Sequence, residues 1–221
     1  MYSLLLTINW SFVLANVSVA SILLPAILAI ILFKKQTLPL KILSILLWVG
    51  VLVEIVARTL AIYKLPNLPA LHVYVVIEFA LLAWMYQLYL HKTYARYVIP
   101  VIIIAFTIFS IINSLFIQSI YTFNTYSRPI SNLLLIIFAL SYFYKMLREL
   151  KVRYLEKAPM FWVNTGILIY FSGSLFLFIF SNYIVSDKGL LLLMWNIHSF
   201  LNIIHNIFYT IGLWLSRENS E

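Results

Sequence analysis

Cysteine is absent from the chain, which excludes a disulfide framework, a thiolate metal site and a cysteine nucleophile together. Charge is scarce. Only 10% of the 221 residues are Asp, Glu, Lys or Arg while 64% are hydrophobic, and a water-soluble domain of that composition would expose very large apolar patches. Five glycines leave few places for a helix broken at mid-membrane; Pro25, Pro100 and Gly173 are the candidates, so a fairly rigid bundle is expected. HExxH and serine-nucleophile motifs are missing, as are a repeat period and an inverted repeat between the first three and the last three apolar runs. The net charge of +8 sits in short basic clusters between long apolar runs, so no nucleic-acid partner is expected.

What the chain does have is seven apolar runs, about 9–33, 42–63, 69–90, 97–117, 129–147, 160–182 and 189–215, each long enough for a membrane span of about 20 residues. The expected fold is all-α: a polytopic seven-transmembrane helix bundle forming a single domain over residues 1–221, with the lipid bilayer as its solvent. Breaks fall at Lys34-Lys35 with Pro39, at Pro66 and Pro69, at His91-Lys92, at Asn124–Arg128, before Pro159, and at Ser186–Gly189. Alternate connections are basic. One set holds Lys34, Lys35, Lys41, Lys92, Arg96, Lys145, Arg148, Lys151, Arg153, Lys157 and Arg217, the other only Lys64, Arg128 and Lys188. The positive-inside rule makes the first set cytoplasmic, giving an outside N-terminus, a cytoplasmic C-terminus and an inner-membrane location. A rival reading makes residues 1–20 a cleaved signal peptide, because an apolar run ends in Val17-Ser18-Val19-Ala20. Against it, the run lacks a basic start and continues to Phe33.

Ionisable groups at membrane depth cost about 2.5–3.5 kcal/mol each on insertion scales, so they turn toward the bundle interior or water. Counted inward from the outer helix ends, Glu54, Glu78 and His198 all lie about 13 Å deep at 1.5 Å per residue. Arg58 and His72 lie nearer the surface, with Tyr126 and Arg128 at the mouth of the fifth span. This pattern predicts a polar cavity opening outward. Glu54 and Arg58, four residues apart, share a helix face and can pair; the pair either pins helices or belongs to a ligand site. Glu78 has no partner three or four residues away and must find one on another helix, carry a proton, or meet water or ligand.

The last span carries a polar stripe of Trp195, His198, Asn202, His205 and Tyr209, with Asn206 beside it. Such a seam faces inward. Two readings stand. Asn and His can simply hold helices together, at about 0.6 kcal/mol per contact, and Asn113, Asn132, Asn164 and Ser172 suit the same purpose. Alternatively the seam lines the cavity, and the expected ligand-binding set is Glu54, Arg58, His72, Glu78, Trp195, His198 and Asn202. Most other Tyr and Trp suit the interfacial belt.

No metal or other cofactor is expected. An intramembrane lipid-modifying metalloenzyme is the alternative, with Glu54, Glu78, His198 and His205 around the ion. Against it, His198 and His205 lie seven apart rather than in an HxxxH pair. Stacked haems would need matched histidine pairs, and the spacings of His72 with His91 and of His198 with His205 do not match. Retinal would need a lysine in the middle of the last span, where Lys188 stands only at its end.

The order of these features, with a basic loop before the sixth span, resembles the seven-helix sensory modules of bacteria. The stretches PMFWVNTGILIYFSGSLFLF (159–178) and WNIHSFLNIIHNIFYTIG (195–212) are similar to small seven-helix membrane proteins of flavobacteria-like bacteria. The shared depth of Glu54, Glu78 and His198 under an outward mouth points to a receptor-like or sensory protein that binds a small ligand and acts through a cytoplasmic or membrane signalling partner at the basic 145–157 loop, in keeping with the sensory-module resemblance. A structural or assembly subunit, whose polar seam only glues helices, is the third possibility.

Overall fold

In the computed structural model, which describes residues 10–90, 95–149 and 154–217, every regular element among them is helical. The first apolar run gives two helices, α1 (Trp10–Ser21) and α2 (Leu23–Leu32), joined at Ile22. Pro25 explains the joint: it has no N–H for the Ser21 carbonyl, and the next helical bond runs from Ala26 N to Ile22 O at 3.1 Å. Six further helices follow: α3 (Leu38–Ile62), α4 (Leu68–Leu90), α5 (Ala95–Ile112, continued by a π turn at Asn113–Ile117), α6 (Ser127–Glu149), α7 (Pro159–Ile184) and α8 (Lys188–Leu215). With α1 and α2 counted as one span, seven helical segments among the described residues are long and apolar enough to cross a membrane, which is the architecture of a multi-pass membrane protein.

The local chemistry sets the boundaries. α3 starts at Leu38, four residues before the expected 42, because Pro39 sits in the first turn where no N–H is needed. At its other end Lys64 takes the left-handed C′ position (φ 56°), and Leu65 N bonds Leu60 O at 2.8 Å, satisfying a terminal carbonyl. Asp187 caps α8 by accepting from Gly189 N at 2.8 Å and Leu190 N at 3.0 Å. Pro100 is carried within α5, and the Arg96 carbonyl, whose partner it removes, accepts from Gln87 Nε2 at 3.4 Å.

Packing arranges the helices as a ring closed in the order α2, α3, α4, α6, α7, α8, with α5 outside it against α4. The core is built from Leu43, Phe79, Leu82, Met85, Tyr86, Leu135, Ile167 and Phe171, while residues such as Ile30, Ile55, Ile104 and Phe116 cover the outside, as a lipid-facing surface requires. One seam of the ring is incomplete. α1 packs along α8, and α2 against both α3 and α8, so the join between the first span and α3 is made by α2 and hardly at all by α1.

Hydrogen bonds along the α1–α8 join explain its strength. Asn196 donates to Ser11 Oγ (3.0 Å), Asn202 to Ser18 Oγ (3.0 Å) and Asn206 to Ser21 Oγ (2.8 Å), a ladder between parallel helices. Asn132 bonds Ser174 Oγ (3.1 Å), and Asn164 donates to Ala139 O (3.1 Å) while accepting from Tyr86. Those amides are interhelical fasteners inside the ring wall.

Candidate functional site

Inside the ring lies a cavity of about 220 Å³. α5 contributes nothing to it. One wall is apolar, from Val19, Ile22, Leu46, Leu47 and Val53 on α1 to α3; the facing wall on α4, α6, α7 and α8 is polar. Along α8 it runs from Trp195 to Tyr209, about 21 Å at 1.5 Å per residue, so it is long and slim.

Of the expected ligand set, Glu54, His72, Glu78, Trp195, His198 and Asn202 line this cavity, and so does His205. Arg58 is the exception. It pairs with Glu54 (Nε to Oε1, 2.9 Å) but points away, its Nη1 donating to Asn16 Oδ1 at 3.3 Å, and its side chain is exposed. The reason is its place one turn nearer the end of α3, where a long cationic side chain can reach the helix-end level.

The polar wall centres on Arg128. Expected as a charge in a loop at the mouth of the cavity, it is instead 5% exposed and forms an ion pair with Glu78. The first turn of α6 positions it: Asn124 Oδ1 accepts from Ser127 N (2.9 Å) and Arg128 N (3.3 Å), which starts the helix and directs the guanidinium into the ring. Arg128 Nη2 donates to the Tyr170 hydroxyl at 3.2 Å, and that hydroxyl lies 3.2 Å from His198 Nε2. Glu78, Arg128, Tyr170 and His198 therefore form one chain across α4, α6, α7 and α8. The rings of Phe171 and Phe178 lie under the guanidinium, 5.5 and 5.2 Å from it.

Deeper, Tyr170 stacks on His205 with ring centroids 4.5 Å apart and planes 5° apart, and His205 meets Tyr209 at 4.0 Å. Both of these α8 residues are buried. His205 Nε2 and the Tyr209 hydroxyl have no hydrogen-bond partner within the protein, and both line the cavity. A buried polar atom left unpaired costs about 1–3 kcal/mol, so each is a position where another molecule's polar atom is favoured.

The end of the cavity near the start of α4 is covered rather than open. The segment 118–126 folds over it with Phe123 and Asn124 on its inner side, and Phe123 meets Trp195 at 5.7 Å. Gln118 Nε2 holds the segment through Phe123 O (2.9 Å) and Thr125 Oγ1 (2.7 Å), and Asn182 Nδ2 adds a bond to Phe123 O at 3.2 Å. His72 Nε2 lies 3.0 Å from Thr122 O, so this expected ligand group pins the cover.

The alternative metal set is not gathered. Among the described residues no three His, Asp or Glu side chains are grouped to hold an ion: Glu54 is taken by Arg58, Glu78 by Arg128 and His198 by Tyr170. Of the basic 145–157 loop, residues 150–153 lie outside the described residues, as do His91 and Lys92. Lys145 donates to the Tyr89 carbonyl, and Lys157 lies 5.1 Å from the Tyr154 ring.

Tyr74, Phe123, Asn124 and Tyr170, which also line the cavity, carry no distinguishing pattern in the sequence. Arg128 does: a lone arginine at the head of a span, on the outer side of Glu78's level, is the partner that an isolated carboxylate calls for. No family model matches the chain, and neither a curated protein nor a solved structure matches it.

Proposed function

We propose that this chain is a receptor-like or sensory membrane protein that binds a small ligand in the ring cavity and passes the change to a partner protein. The observation that carries this reading is the pairing of a membrane-depth cavity with two buried, unpartnered polar atoms, His205 Nε2 and the Tyr209 hydroxyl, beside the Glu78–Arg128 pair. The basic clusters support an N-terminus outside and a C-terminus in the cytoplasm, in a bacterial inner membrane. With Arg128 turned inward to Glu78, Lys64 and Lys188 are the bases left in the sparse set of connections, which sharpens that bias. The cavity then lies nearer the outer surface by its cover, and the basic segment around 145–157 faces the cytoplasmic partner.

The Asn–Ser ladder of α1 and α8 favours a second reading, a structural or assembly subunit whose seam only fastens helices. Native mass spectrometry and elemental analysis of the detergent-purified chain separate the two. One metal-free small molecule per chain, lost from a His198→Leu variant that still unfolds cooperatively, supports the receptor reading. An empty cavity, with His198→Leu lowering only stability, leaves the subunit reading. A stoichiometric metal lost from the same variant would move the assignment to the metalloenzyme.

A further inference from the structure

The chemistry of the cavity narrows what it can take. Its acidic and basic lining groups are already matched: Glu78 is paired with Arg128, and Glu54 with Arg58 just outside. Among the described residues no lining charge is left over to meet an ionic ligand, and an ion brought to this depth without a counter-charge would meet the full cost of desolvation. His72 Nδ1 and Arg128 Nε are buried lining atoms without a partner toward the cover, and at the deep end two neutral hydrogen-bonding atoms, His205 Nε2 and the Tyr209 hydroxyl, are left over beyond an apolar wall from α1, Ile22 and α3. A hydroxyl or carbonyl oxygen on a slim apolar body satisfies both.

Access is set by two further features. The end of the cavity is closed by the 118–126 cover, held by His72, Gln118 and Asn182. The side of the ring is weak at one place, where α1 leans on α8 and scarcely touches α3 above the Pro25 joint. Glu54 lines the cavity there, and its partner Arg58 is exposed and reaches Asn16 on α1 across the gap. This is a polar rim on a lateral opening, at a depth of about 6–12 Å from the end of α3 at 1.5 Å per residue.

Building on the receptor reading, we infer that the ligand is an uncharged amphiphile with a hydroxyl or carbonyl end. It enters from the bilayer between α1 and α3 past Asn16 and Arg58, and its oxygen seats against His205 and Tyr209.

The test uses the full chain in lipid nanodiscs with two photoactivatable probes of equal length, a long-chain alcohol and the matching carboxylate. The alcohol should label the apolar wall of the cavity in preference to the carboxylate. Tyr209→Phe should raise the alcohol concentration for half-maximal labelling about tenfold, as loss of one buried hydrogen bond does, without lowering the thermal midpoint. Because the chain has no cysteine, an Asn16→Cys/Arg58→Cys variant joined by a short bis-methanethiosulfonate cross-linker, each thiolate displacing a sulfinate to form a reducible disulfide, closes the gap selectively. Cross-linking should abolish labelling, and cleaving the linker should restore it. Equal labelling by alcohol and carboxylate overturns the uncharged ligand, and labelling that survives the cross-link overturns lateral entry. Labelling by neither probe, with a water-soluble molecule found by native mass spectrometry, overturns this inference while leaving the receptor reading standing; an empty cavity ends both.

Discussion

Arg128, in the first turn of α6, reaches to Glu78, midway along the neighbouring α4, and both side chains are buried. A buried pair of this kind is stabilising chiefly in the sense that neither partner can be removed alone. Arg128→Met should destabilise the protein by about 3–5 kcal/mol, and Glu78→Leu by a similar amount, because each strands an uncompensated charge. The double variant should be less destabilised than the sum of the two. Equilibrium unfolding of the four proteins in one detergent gives the coupling energy directly. Strict additivity would show that the two groups do not depend on each other.

His72 holds the cover over the cavity through the Thr122 carbonyl, and replacing it with Phe keeps the ring while deleting the bond. The cysteine-free background offers a clean readout, since Val75 lines the cavity on the same helix and is buried. A single Val75→Cys should react slowly with a membrane-impermeant thiol reagent. Adding His72→Phe should speed that reaction by about fivefold to tenfold, the factor that corresponds to one lost hydrogen bond of about 1–1.5 kcal/mol. Unchanged rates would mean that Gln118 and Asn182 hold the segment without help from His72.

The spans were legible because a membrane helix announces itself by length, and the polar stripe on α8 because its period fixes one face whatever the neighbours are. Pro39 shows where that legibility stops: a proline is equally at home as a break or in a first turn, and only the packing of α3 decides. Arg128 looks like a loop charge in the sequence for the same reason, since it stands at the boundary between connection and helix and its direction depends on the Asn124 cap. Ser11, Ser18 and Ser21 are small residues among apolar ones, and nothing local marks them as the acceptors for three asparagines nearly the whole chain away. The cover over the cavity has no periodicity at all, so its fold is written only in contacts to other elements.

The α7–α8 contact predicts a ranking among glycines. A Cβ at Gly212 would lie 2.6 Å from Val163 Cγ2 and 2.8 Å from the Pro159 carbonyl oxygen, and a backbone atom cannot move aside. At Gly173 the nearest atoms, at 2.7 and 2.8 Å, are the terminal methyls of Leu201, which can change rotamer. Gly212→Ala should therefore cost about 1–3 kcal/mol, the range for overpacking, and Gly173→Ala clearly less. Thermal midpoints of the two variants in the same detergent check the order. A reversed order would place the tight approach of the two helices at the other end of their contact.

The ladder between α1 and α8 gives a last prediction, because Asn206 and Ser21 are both buried and each serves the other. Lipid offers an unpaired amide no water, yet the helix freed from its partner finds other acceptors, so the net worth of such a bond in a membrane averages only about 0.6 kcal/mol with a maximum near 1.7. Asn206→Leu should fall in that range. Ser21→Ala should cost at least as much, since it leaves the larger polar group behind with nothing to donate to. Ser21→Ala combined with Asn206→Leu removes both groups and should recover part of the loss, measured as unfolding free energy in a fixed detergent. If the combined variant were instead worse than the sum, the two side chains would be supporting the α1–α8 join through separate contacts, and the asparagines would fasten α8 to the ring by shape rather than by their hydrogen bonds.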